Sequence, residues 1–102
     1  MDILWSNQAQ EAFGDIRDYL FTHFGIEAEE SYLNKVDDTL AQIVKFPNIG
    51  VPVYQLSADG TVRSFLIKGL SKFIYYVRDN TIYIADVWDV RQDPDVLLER
   101  FT

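Results

Sequence analysis

Apolar positions change their spacing twice along this chain, and each change predicts an element boundary. Residues 2–5 form a short apolar run that suits a strand. Ser6 follows, a residue whose hydroxyl caps helix N-termini well. Ala9, Ala12, Phe13, Ile16, Leu20 and Phe24 then recur at three- and four-residue spacing, the signature of one helix face. Gly25 is placed to stop that helix. A second helix is expected from Glu27, with Glu27, Glu29 and Glu30 complementing the positive end of its dipole. Its apolar face is Ala28, Tyr32, Val36, Leu40, Ile43 and Val44. Lys45 lies in its last turn, and Pro47 forbids continuation. The short link at Gly25-Ile26 makes the pair an αα-hairpin.

Beyond residue 47 the pattern turns to β. Asn48 to Pro52 reads as a loop, 53–56 as a strand, Asp59-Gly60 as a hairpin turn and 61–67 as the next strand. Lys68-Gly69-Leu70-Ser71 connects to a second hairpin, 73–77 and 81–90, joined by Asp79-Asn80. Both of its strands are apolar at nearly every position, which suits the centre of a sheet. Asp93-Pro94 opens a short final helix anchored by Val96, Leu97 and Phe101. The reading is one α+β domain over residues 1–102, a helical hairpin followed by an antiparallel sheet.

Composition narrows the setting. No apolar run approaches the roughly 20 residues of a membrane span. The N-terminus lacks the basic region of a secretory signal. With no cysteine, disulfides and thiolate zinc sites are excluded. A cytoplasmic protein is expected, with no membrane partner. Net charge is −7 and unevenly placed: residues 1–60 carry ten acidic and three basic side chains, residues 61–102 six of each. An acidic surface repels phosphate backbones, so direct DNA binding by the chain alone is not expected. Arg63, Lys68, Lys72, Arg78 and Arg91 leave room for a local basic patch, or are ordinary solvated charges at strand ends.

Other constellations carry little chemistry. Asp86, Asp89, Asp93 and Asp95 suggest a metal site, but odd spacing puts Asp86 and Asp89 on opposite faces of a strand. Tyr75 and Tyr76 also face opposite ways, so core packing is favoured over base stacking for the Tyr75, Tyr76, Tyr83 and Trp88 set. His23, at a helix C-terminus, complements the dipole. There is no Gly-rich phosphate loop and no nucleophile elbow, and no metal or cofactor is implied.

Several segments, in order, resemble the RelE/ParE toxin superfamily. They are Trp5-Ser6 with Ala9 and Ile16-Arg17-Asp18-Tyr19-Leu20, then Phe46-Pro47-Asn48-Ile49-Gly50, then Val62-Arg63-Ser64-Phe65. Lys72-Phe73-Ile74-Tyr75-Tyr76-Val77 and Ile84-Ala85-Asp86-Val87-Trp88-Asp89-Val90-Arg91-Gln92-Asp93-Pro94 complete the set. The resemblance implies a growth-inhibiting toxin silenced by a cognate antitoxin whose tail lies across the helices and sheet. It implies one of two targets, mRNA on the ribosome for RelE-type members or DNA gyrase for ParE-type members. Cleavage through a 2′-hydroxyl needs a proton acceptor, a proton donor and a cation for the phosphorane. Lys72 and Arg91 align with basic positions of the RelE-type set, and Arg63 is expected nearby on the adjacent strand. Residues 92–102, however, contain neither Tyr nor His, and Asp89 stands where ParE-type members often have His. The ParE-like, non-hydrolytic branch is therefore favoured, with Lys72, Arg91 and Arg63 expected as a basic cluster at one end of the sheet. A RelE-like endoribonuclease and a non-toxic, antitoxin-binding member are the alternatives. On composition alone, Arg91 is equally well read as the ion-pair partner of Asp89, Asp93 or Asp95.

Overall fold

A computed structural model describes residues 1–91. The expected C-terminal helix at Asp93-Pro94 lies outside the described residues. The elements run β1 (Asp2–Trp5), α1 (Asn7–Phe24), α2 (Ile26–Lys45), β2 (Val51–Pro52), β3 (Arg63–Ile67), β4 (Ser71–Arg78) and β5 (Thr81–Asp89). The two helices pack against one face of a five-stranded sheet of order β1-β5-β4-β3-β2. The strongly apolar hairpin β4–β5 is thus central, as its pattern requires.

Two features depart from expectation. The sheet is mixed: β1 lies parallel to β5, Asp2 beside Thr81 and Trp5 beside Ile84. Hydrophobic periodicity reports which faces are buried but not strand direction, and the helical pair carries the chain back so that β1 meets the last described strand in parallel. Residues 53–56 are not a strand. Val53 O instead accepts the amides of Leu56 and Ser57 in a turn. The edge strand is Val51–Pro52, paired with Ser64 and Arg63. Pro52 has no amide to donate, which confines it to such an edge. Folding back of 53–62 lets Leu56 and Val62 cover Ile74 and Trp88 on the sheet face away from the helices.

Ser6 organises the start of α1. Its Oγ accepts the Ala9 amide at 2.9 Å and donates to Ala85 O at 2.7 Å, so one hydroxyl caps the helix and ties it to β5. Gly25, at φ 91°, ends α1 and begins α2 in a backbone conformation that side chains disfavour. Asp79 and Asn80 both take positive φ, 51° and 58°, in the tight turn between β4 and β5. The main core joins Ile16 and Leu20 of α1, Tyr32, Val36 and Ile43 of α2, and Phe73, Tyr75, Ile82, Ile84 and Val87 of the sheet. Phe24, read as part of the apolar face of α1, is exposed at the helical tip. Among the described residues, no helix is long and apolar enough to cross a membrane.

Candidate functional site

Strand register decides where the expected cations stand. Lys72 pairs with Leu66 and Trp88, while Arg63 pairs with Tyr75, three positions further along β4. An odd offset puts the two on opposite faces. Lys72 is exposed on the sheet face away from the helices. Arg63 lies toward the helices, where its Nη1 donates to Asn48 O at 3.1 Å and Gly50 O at 2.8 Å. Arg91 follows the end of β5 and reaches over α1, with its guanidinium carbon 4.1 Å from the Tyr19 ring centroid. The expected basic cluster does not form: the sheet separates Lys72 from the other two, and Arg63 is committed to the 48–50 loop.

That loop is held from two sides. The Tyr75 hydroxyl accepts the Gly50 amide and donates to Pro47 O, each at 2.9 Å. Burial raises the Tyr75 pKa. A Cβ at Gly50 would meet the Tyr75 hydroxyl at 2.5 Å and Ser64 O at 2.9 Å, so only glycine fits beneath the clamp.

Arg91 is held differently. Its Nε donates to Asp89 Oδ1 at 2.9 Å, its Nη2 donates to Oδ2, and its own amide also donates to Oδ1. This charge-assisted fork holds the Asp89 carboxyl below the ordinary carboxylate range and raises the arginine further. Tyr19, beneath the guanidinium, is itself stacked with His23 at 4.3 Å between ring centroids. The His23 ring nitrogen Nδ1 also lies 3.0 Å from Tyr19 O, a local bond at the end of the helix. The Asp89 reading of Arg91 is therefore the one observed. Tyr19 was missed, because nothing in a linear pattern links a mid-helix tyrosine to an arginine beyond the last strand.

A cavity of about 300 Å³ runs from this pair along α1, lined by Gln8, Glu11, Asp15, Tyr19 and Asp89. Asp86 is fully buried on the other face of β5 from Asp89, as odd spacing requires. It accepts the Gln8 amide at 2.7 Å and the Trp88 indole and Val87 amide at 2.8 Å each. Its role is to bind the start of α1 to the sheet. Tyr76 and Tyr83 stack at 5.1 Å on the sheet face away from the helices, with Arg78 over Tyr76, whereas Tyr75 faces the core. A second, more apolar groove of about 530 Å³ opens between α1 and the edge strand β1, lined by Ile3, Leu4, Trp5 and Phe13.

A family model described as the ParE toxin of the type II toxin–antitoxin system, parDE, matches residues 3–94. Among solved structures, a chain of the chromosomal ParDE TA system from P. aeruginosa superposes with a TM-score of 0.68 at 17% identity. The match covers 87% of this chain and 95% of that one. A chain of the YoeB-YefM complex from Staphylococcus aureus superposes with a TM-score of 0.56 at 22% identity, covering 85% and 93%. No curated protein matches the sequence. The two superpositions are likenesses of fold, whereas the family model spans nearly the whole sequence from β1 past Arg91. The chain belongs to the ParE toxin family of type II toxin–antitoxin systems.

Proposed function

We propose that this chain is the growth-inhibiting toxin of a type II module, silenced by a cognate antitoxin, and that it acts by ParE-like inhibition of DNA gyrase without hydrolysis. The observation that carries the reading is the dispersal of its cations. Phosphodiester cleavage needs an acid, a base and a charge-stabilising group around one phosphate. Here Arg63 clamps a loop, Lys72 lies across the sheet, and Arg91 is paired with Asp89. Among the described residues they do not surround a common point. Inhibition by surface contact needs no such convergence, and Arg91, with 45% of its side chain exposed, is the cation we assign to the target.

The antitoxin is the second partner. One structural relative is a chain of a ParDE TA system and the other a chain of a YoeB-YefM complex, which supports such a partner here. The apolar groove beside β1 suits an amphipathic segment, with Leu4 exposed along it. Co-purification with the product of the adjacent gene tests this partner.

The target is tested with purified protein and in cells. Inhibition of gyrase supercoiling, with intact transcripts by primer extension during growth arrest, is the expected result. Discrete cleavage between codons that vanishes in Arg91→Ala would instead establish a RelE-like endoribonuclease. Absence of any growth defect on expression would leave an antitoxin-binding member without toxicity.

A further inference from the structure

Arg91 is held on two sides by residues from two different elements. Asp89 takes the Nε–Nη2 side of the guanidinium in a fork, and the Tyr19 ring lies under one face at 4.1 Å. Such a side chain gives up part of its rotamer freedom before any partner arrives. Its charge is also compensated at short range, which makes it a poor magnet for a phosphate. Among the described residues, what it still presents is one planar face.

We infer that Tyr19 and Asp89 are positioning residues that fix Arg91 as a preorganised, charge-compensated planar donor, and that the surface it meets is protein, an aromatic ring or peptide plane, rather than a phosphate backbone. This rests on the assignment of Arg91 to the target. It adds two residues and a partner chemistry to that assignment. Guanidinium groups stack on aromatic and peptide planes without giving up in-plane hydrogen bonds, so the Asp89 fork and a partner ring are compatible. A phosphate, by contrast, would compete with Asp89 for the same charge. The neighbouring surface agrees: the adjoining cavity displays Glu11 and Asp15, which repel an anionic backbone.

A mutant cycle on the full-length chain tests the inference, with growth arrest at matched expression and gyrase inhibition as activity readouts. Arg91→Ala is expected to raise the inhibitory concentration about tenfold, and Tyr19→Leu or Asp89→Asn about three- to tenfold, the range of a partly desolvated cation–π or charged hydrogen bond. Tyr19→Phe, which keeps the ring, is expected to retain activity. The double variants Tyr19→Leu/Arg91→Ala and Asp89→Asn/Arg91→Ala are expected to be no weaker than Arg91→Ala alone, because both residues act through Arg91. The Arg91 Nε–H resonance is expected to be sharp and slow to exchange in the parent, and to broaden or disappear in Tyr19→Leu and Asp89→Asn at unchanged Tm.

Three results would overturn the inference. Asp89→Asn could strengthen inhibition, which would mean that Asp89 masks a phosphate-seeking cation. The double variants could show additive losses. Arg91→Ala could be neutral, which removes the assignment as well. A parent chain that arrests growth but leaves gyrase active ends the gyrase reading alone, and the cycle is then read on growth. If the parent arrests nothing, the toxin reading fails, and the Nε–H resonance still decides whether Tyr19 and Asp89 hold Arg91.

Discussion

The Tyr32 hydroxyl is buried beside Ser71 Oγ at 2.8 Å, and burial pushes its pKa from 10.0 to about 12. The neutral phenol is the form that the fold accommodates. Its contribution to stability is complete below the unfolded value of 10.0 and is lost as the pH rises through the folded value of about 12. Alkaline unfolding is therefore expected to set in between these values, and Tyr32→Phe to flatten that limb of the stability–pH curve, as followed by circular dichroism. An unshifted limb in Tyr32→Phe would assign the alkaline transition to other groups. At this scale much was legible in the sequence. Most apolar positions of α1 and α2 and the opposed faces of Asp86 and Asp89 follow from local spacing, which for Arg91 left Asp89, Asp93 and Asp95 open as partners. The stacking of Arg91 on Tyr19 and the clamp of Arg63 on Asn48 and Gly50 do not, because each joins residues that only the tertiary fold brings together.

Between elements, single polar side chains do the fastening. Ser6 Oγ serves α1 as a cap and β5 as a donor, and Asp86 binds Gln8 of α1 next to it. Loss of a cap costs about 1 kcal/mol, and loss of a second hydrogen bond costs a similar amount. Ser6→Ala is thus expected to destabilise the domain by about 1–2 kcal/mol, a Tm decrease of roughly 4–16 °C for a chain of this size. Asn7→Ala, one position into the helix, serves as the control. Equal Tm values for the two variants in calorimetry would show that the hydroxyl carries neither role. Element identity was largely readable from periodicity, and both helices lie close to their expected bounds. The failures lie at 53–56 and in the direction of β1. A short apolar run fits a strand or a folded-back turn equally well, and tertiary partners decide between them. Here Ile74 and Trp88 offered Leu56 and Val62 a place to pack, and the turn won.

At the scale of the molecule, charge is layered. The helical segment 7–45 carries most of the acidic excess, while Lys72 and Arg78 lie on exposed strand positions of the sheet. Two separated cations on an acidic body of net charge −7 are too few to hold a nucleic-acid backbone. The purified chain is expected to give no mobility shift with duplex DNA at about 0.1 M salt, where the Debye length is about 10 Å and weak attractions would still register. A salt-sensitive shift under those conditions would contradict this view of its surface.

Pairing of β1 with β5 also sets an order of events during synthesis. Ser6 must find Ala85, 79 residues later, before α1 is tied to β5 and the sheet gains its outer strand. Contacts of such separation close last, and only after the intervening chain has left the ribosomal exit tunnel. A nascent copy, however far its helices have formed, has no Arg91 to lay on Tyr19 until the whole of β5 has been made.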